Sequence, residues 1–134
     1  MILITGATGN LGTSVIKQLE QHLNKDQFVL TSSKEASAAL LTNQGYQARI
    51  ADFSNPSSLK QAFEGIEKLL LISTMDQSRA EQHKQVIDAA KAQGVKHIIY
   101  TSLAIKDINT SAVKDLMMSH FETEKHLIDS GLSY

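Results

Sequence analysis

The sequence contains no cysteine. That excludes disulfides, thiolate nucleophiles and thiolate metal sites. Tryptophan is absent too, and Pro56 is the single proline. There is no excess of charge of either sign: 13 Lys and Arg stand against 14 Asp and Glu. Nothing in that balance points to nucleic acid or to an anionic membrane surface as a partner. Long apolar runs are missing; the strongest, Leu69–Ile72, is far too short to span a bilayer. The N-terminus carries no basic segment followed by a signal core. A cytoplasmic protein is the expectation. The histidines show no ligand spacing; His120 and His126 fall on different faces of a helix, and no metal site is expected.

What the 134 residues do contain is enough apolar material for one domain, 42% of the chain, and a regular alternation of strand and helix signals. Met1–Thr5 is a short apolar run that fits a strand buried on both faces of a parallel sheet. Glycines follow at 6, 9 and 12, and Leu11, Val15, Ile16, Leu19 and Leu23 fall on one face of a helix. Strand, glycine turn and helix in this order can hold a dinucleotide pyrophosphate. Gly6 makes the turn, Gly9 admits a bulky anion to the backbone, and Gly12 lets the helix pack close to the strand. The helix start then offers free N–H groups and a positive dipole end. A turn that serves only as a connection is the plainer alternative; the flanking strand and amphipathic helix weigh against it. Gly6, Thr8, Gly9, Asn10, Leu11 and Gly12 are the expected cofactor contacts here. The Gly-x-x-Gly-x-x-Gly spacing after Thr5 resembles the turn of extended and atypical short-chain dehydrogenases/reductases.

Further strands are expected over Gln27–Thr31, Tyr46–Ala51, Lys68–Ser73 and His97–Thr101. Helices are expected over Glu35–Asn43, Ser57–Glu64, Ser78–Gln93 and Ala112–Ser130, with residues 103–111 as loop. In the last helix Val113, Leu116, Met117, Phe121, Leu127 and Ile128 make the apolar face. Leu132–Tyr134 looks like the beginning of another strand. Five strands alternating with five helices imply an α/β fold: a Rossmann-type, doubly wound parallel sheet with helices on both faces. Residues 1–134 form one NAD(P)-binding domain on this reading. Ligands in such folds sit beyond the carboxyl ends of the strands, near the switch in strand order.

Functional residues are therefore expected at the strand ends. After the second strand stand Ser32, Ser33 and Lys34, with no acidic residue at the strand tip. Two hydroxyls and a lysine suit a 2′-phosphate, which favours NADPH, with NADH as the alternative. A helix N-cap serves as a second explanation of the serines. Asp52 and Phe53 close the third strand, Ser73, Thr74 and Met75 the fourth, Thr101 and Ser102 the fifth. Asp52 is either an adenine contact or a helix cap before Pro56. Ser102 is either a substrate-side hydroxyl or a loop residue. The last helix carries Phe121-Glu-Thr-Glu-Lys125 where typical short-chain reductases have Tyr-x-x-x-Lys. Spacing of i, i+4 puts both on one face. Phe121 can do no acid–base work. Lys125 is left as a candidate for the cofactor ribose and for catalysis, or as a solvated helix residue. His120 is a candidate substitute acid or an ordinary helix residue.

The stretches Ile4–Gly12, Glu67–Ser73, Gly94–Leu103 and His120–Tyr134 together resemble the NmrA-like atypical short-chain reductases, in particular their bacterial NAD(P)H:quinone oxidoreductase and triphenylmethane reductase branch. The resemblance covers the whole chain. It implies hydride transfer from NADPH to a small-molecule acceptor such as a quinone, and agrees with Phe121, because that branch also lacks the catalytic Tyr. It implies an Arg where Ser32 stands, which this chain lacks. It also implies further strands and a small substrate lobe, so the chain is expected to be an N-terminal fragment, truncated before a sixth strand. The fifth strand would then be an open edge prone to self-association. Two other functions stay open: a non-catalytic NADP-sensing regulator of the NmrA type, and a cofactor-binding fragment without activity.

Overall fold

The computed structural model describes residues 1–105 and 114–134. The expected loop over 106–111, the expected helix start at Ala112 and Val113, and the side chain of Leu116 lie outside the described residues. Strands β1 (Ile2–Ile4), β2 (Phe28–Ser32), β3 (Gln47–Ile50), β4 (Lys68–Leu71) and β5 (His97–Tyr100) alternate with helices α1 (Asn10–Leu19), α2 (Glu35–Asn43), α3 (Pro56–Ala62), α4 (Arg79–Ala92) and α5 (Lys114–Ser130). The sheet order is β3-β2-β1-β4-β5, and every pairing is parallel. The order reverses between β1 and β4, so the switch point lies beside the glycine turn.

Strand alternation sorts the core into two layers. Leu3, Val29, Leu69, Leu71 and Ile98 point to one face, where they meet Leu59 and Phe63 near α3, Val86 and Ile87 of α4, and Leu127 of α5. Ile4, Phe28 and Leu30 point to the other face, against Ile16 of α1 and Leu41 of α2. Helices thus cover both faces, as expected for a doubly wound sheet. Each fully buried leucine or phenylalanine contributes about 1.5–3 kcal/mol by leaving water, which is why these short strands hold their register.

Several local expectations are corrected. Helix α1 stops at Leu19 rather than Leu23, because Gln21 and His22 donate to Gln18 and Leu19 in i→i−3 bonds that tighten the last turn. Leu23 still packs on the core from beyond the helix. Leu11 does not belong to the buried stripe; it is 48% exposed, and the stripe runs through Gly12 and Ile16. Helix α3 is capped by Asn55, whose Oδ1 accepts from the N–H groups of Ser57 and Ser58, with Pro56 in its first turn. Asp52 is not that cap. Helix α5 buries His120, Thr123 and Leu127, so its inward face is rotated away from Phe121 and Ile128.

The last residues lie along β5. Ile98 N–H donates to Ser133 O at 2.9 Å, and Ser133 N–H donates to Lys96 O at 3.3 Å. The edge of β5 is therefore not wholly open: the chain's own residue occupies it at Lys96–Ile98. No helix of the described residues is long and apolar enough to cross a membrane.

Candidate functional site

The carboxyl ends of β1 to β4 open into a groove of about 400 Å³. Gly6 and Thr8 of the glycine turn line it, with Ser32 at the end of β2 and Ser33 just beyond it, Asp52 and Phe53 after β3, and Thr74 after β4. Seven of the expected contacts are thus brought to one concavity at the switch point. Thr31, Ala51, Ser54, Asp76 and Gln82 line it as well. These five were not singled out in the sequence; the position of Thr31 and Ala51 at strand ends was the available signal, and Gln82 comes from a helix the strand-end search passed over.

The glycine turn builds one wall. Gly6 has φ +61°, a conformation that favours glycine. Gly9 is the N-cap of α1 and makes no side-chain cap bond. The first intrahelical bond runs from Thr13 N–H to Gly9 O at 2.9 Å. The N–H groups of Asn10, Leu11 and Gly12 thus have no intrahelical acceptor and can take an anion. A Cβ on Gly12 would lie 2.2 Å from Gly6 O. The glycine is what lets α1 start this close to β1.

The far wall is polar. Ser32 Oγ accepts from Lys34 N–H at 3.2 Å, a local turn bond that holds the serine at the rim. Lys34 is exposed at the N-cap of α2 and makes no side-chain cap bond. Asp52 Oδ1 accepts from Ser54 N–H at 2.9 Å. Asp76 Oδ1 accepts from Ser78 N–H at 2.7 Å.

The segment that leaves β4 is held by side chains. Ile72 N–H donates to Thr5 Oγ1 (2.9 Å), Ser73 N–H to Thr101 Oγ1 (2.8 Å), and Thr74 N–H to His83 Nε2 (3.3 Å). Ser73 and Thr101 thus brace the groove without being among its lining residues. Met75 is 83% exposed, outside the groove.

The remaining catalytic candidates are not gathered at this groove. Lys125 Nζ donates to Asp129 Oδ2 at 2.7 Å, and its side chain is 78% exposed. The rotation of α5 that buries His120, Thr123 and Leu127 turns Lys125 outward. Ser102 donates to Glu124 and borders a second, largely apolar groove with Ile98, Ile99 and Tyr100. His120 is 4% exposed and no ordinary helix residue. Its Nε2 accepts from Arg79 Nη1 at 3.2 Å, and its Nδ1 pairs with Tyr100 Oη at 2.7 Å. Burial, with Arg79 beside it, lowers the His120 pKa, and burial raises that of Tyr100. His83 is fully buried. Burial, with His120 and Arg79 adding repulsion, pushes its pKa down to about 4. Arg79, His83, Tyr100 and Thr123 were not read from the sequence. For Arg79, His83 and Thr123 the signal was a polar residue at i, i+4 or i, i+3 spacing on an otherwise apolar helix face; for Tyr100 it was a position at the end of β5. No cluster of potential metal ligands occurs among the described residues.

A sequence model described as the NmrA-like family matches residues 1–133. Quinone oxidoreductase 2 of Escherichia coli strain K12 is 47% identical over 135 residues, which cover 100% of this chain and 46% of that protein. The crystal structure of the NADPH-dependent quinone oxidoreductase from Escherichia coli complexed with NADPH superposes with a TM-score of 0.88 at 47% identity, over 98% of this chain and 46% of that one. The Citrobacter sp. triphenylmethane reductase complexed with NADP(H) gives a TM-score of 0.88 at 35% identity, over 98% and 46%. The chain spans about half the length of these relatives.

Proposed function

Because the chain belongs to the NmrA-like family, we propose that it is the dinucleotide-binding domain of an NADPH-dependent oxidoreductase acting on a quinone-like acceptor. The observation that carries this reading is the groove itself. It joins a glycine turn with free helix N–H groups to two serines, an Asp-Phe pair and Thr74, all beyond the strand ends. That donor set fits NADPH: anions at the start of α1, a ribose phosphate near Ser32, Ser33 and Lys34, and a ring against Phe53. When bound, NADPH supplies the hydride. The chain's own residues bind and orient. Asn10, Leu11 and Gly12 offer N–H groups to the pyrophosphate. Ser32 and Ser33 donate to a phosphate oxygen, and Asp52 accepts from an adenine amine. Thr74, held through its backbone, fixes the wall along which the cofactor runs.

The acceptor is quinone-like on the strength of the relatives, whose names state that chemistry. Phe121 in place of an acid fits both this reading and a second one, a dinucleotide sensor, and the outward Lys125–Asp129 pair favours the sensor. Mixing the chain with NADPH and a benzoquinone, and following nicotinamide absorbance, separates the two. Enzyme-dependent NADPH oxidation supports the oxidoreductase. Unequal binding of NADPH and NADP⁺ with no oxidation supports the sensor.

A further inference from the structure

Behind the groove lies a buried polar cluster that the reading above leaves unused. Arg79 and His83 stand one turn apart on α4, and His120 and Thr123 face them from α5. All four are at most 4% exposed. Burying such groups is costly unless every donor and acceptor finds a partner. The partners here converge on one residue, Thr74. Thr74 N–H donates to His83 Nε2 at 3.3 Å, and Thr74 O accepts from Arg79 Nη1 at 3.2 Å. Its hydroxyl donates to Gln82 Oε1 at 3.3 Å.

The protons can be assigned. Thr123 Oγ1 donates to Ser119 O at 2.8 Å, so it accepts from His83 Nδ1 at 3.2 Å. His83 is therefore the neutral Nδ1–H tautomer, with Nε2 free to accept from Thr74. Arg79 Nη1 has two protons, one for Thr74 O and one for His120 Nε2. His120 then carries its proton on Nδ1 and donates to Tyr100 Oη. Each of these contacts among Thr74, Arg79, His83, His120, Thr123 and Tyr100 thus pairs one donor with one acceptor.

We propose that Arg79 and His83 are positioning residues: they clamp both peptide groups of Thr74, they are held in turn by His120 and Thr123, and α5 thereby sets the β4 wall of the cofactor groove. The proposal rests on the dinucleotide reading, since Thr74 matters through the ligand it faces. β4 ends at Leu71, and among the described residues no sheet neighbour continues the ladder at Thr74; the two side chains take its place. The groups facing His83 are Arg79 on its own helix, His120 and Thr123 on α5, Tyr100 on β5 and the Phe53 ring after β3.

The test uses the full chain with His83→Leu, His83→Gln and Thr123→Val. Gln places an acceptor near the position of Nε2, whereas Leu removes it. Two quantities are measured: NADPH affinity, and the hydrogen-exchange rate of the Thr74 amide without nucleotide. His83→Leu should weaken NADPH about tenfold and speed Thr74 exchange by a similar factor. His83→Gln should restore most of both, which a merely space-filling histidine would not require. If His83→Leu does not fold, Thr123→Val carries the test, with faster Thr74 exchange and weaker binding expected. Wild-type affinity and wild-type Thr74 exchange in the Leu and Val variants would overturn the clamp. A wild-type chain that binds no NADPH would overturn the dinucleotide reading instead, and Thr74 exchange would still decide the clamp.

Discussion

Gly12 lies against the Gly6 carbonyl so closely that a Cβ added to it would stand 2.2 Å from that oxygen and 2.9 Å from the Cα of Ala7. Both obstacles are backbone, so neither can rotate away. Gly12→Ala must push α1 off β1, and overpacking of this kind costs about 1–3 kcal/mol. Urea denaturation should show a clearly lower midpoint for the variant. An unchanged midpoint would mean that α1 does not sit where the structure puts it.

The role proposed for the rim residue Ser32 predicts a charge preference. Its Oγ accepts from Lys34 N–H, and an aspartate at this position can accept the same bond, so Ser32→Asp should leave the turn intact. The added carboxylate faces the place proposed for the 2′-phosphate. NADPH affinity is expected to fall about tenfold or more, while NADH affinity holds or improves. Parallel titrations with both nucleotides check this; equal losses would place the phosphate elsewhere.

Much of this was legible in the residues, for reasons that can be named. Gly45 after a run rich in alanine and leucine gave α2 its bounds, Glu35–Asn43, without error. Short apolar runs mark β1, β2, β4 and β5, because parallel strands are buried on both faces, whereas β3, Gln-Ala-Arg-Ile at the sheet edge, gives a weaker signal. The groove was found from the rule that ligands sit at strand ends. What was not legible depends on which way a helix is turned. The inward face of α5 includes His120 and Thr123, and a stripe interrupted by polar residues does not register as apolar periodicity. For that reason the pattern puts Phe121 and Ile128 on the inward face and leaves Lys125 between a cofactor contact and a solvated helix residue. Arg79 and His83 were hidden in the same way on α4, where they continue the stripe of Val86, Ile87 and Ala90.

His83 makes stability depend on pH. Its pKa is pushed down to about 4 in the folded chain, from about 6.5 when unfolded. Above 6.5 both states are neutral and the group adds no pH dependence. As the pH falls from about 6.5 towards 4, the unfolded chain takes up a proton that the folded chain refuses, and stability is lost. The full loss is about 3 kcal/mol, and His120 is shifted in the same direction. Denaturation midpoints between pH 7 and 4 should fall for wild type and fall less steeply for His83→Gln. Parallel curves would show that His83 is not buried as described.

Lys125 provides a check on the orientation of α5. Its Nζ is held by Asp129 on the exposed face of the helix. Exposed pairs of this kind contribute little. Lys125→Ala is expected to leave NADPH affinity within about twofold of wild type. A tenfold loss, read by nucleotide fluorescence, would mean that the lysine swings into the groove when the cofactor binds.

The measurement that bears most directly on the dinucleotide groove is a calorimetric titration of the chain and of Gly9→Asp with NADPH. Gly9 is the N-cap of α1, a position where aspartate is favoured, and its Cβ would lie 3.3 Å from Gly6 O, a tight contact that asks that backbone to give by a few tenths of an ångström. Circular dichroism checks that the variant folds, and its carboxylate then occupies and repels the place proposed for the pyrophosphate. Saturable binding to wild type, lost in a folded Gly9→Asp, is the predicted result. No binding by wild type, or equal binding by the two, would contradict it.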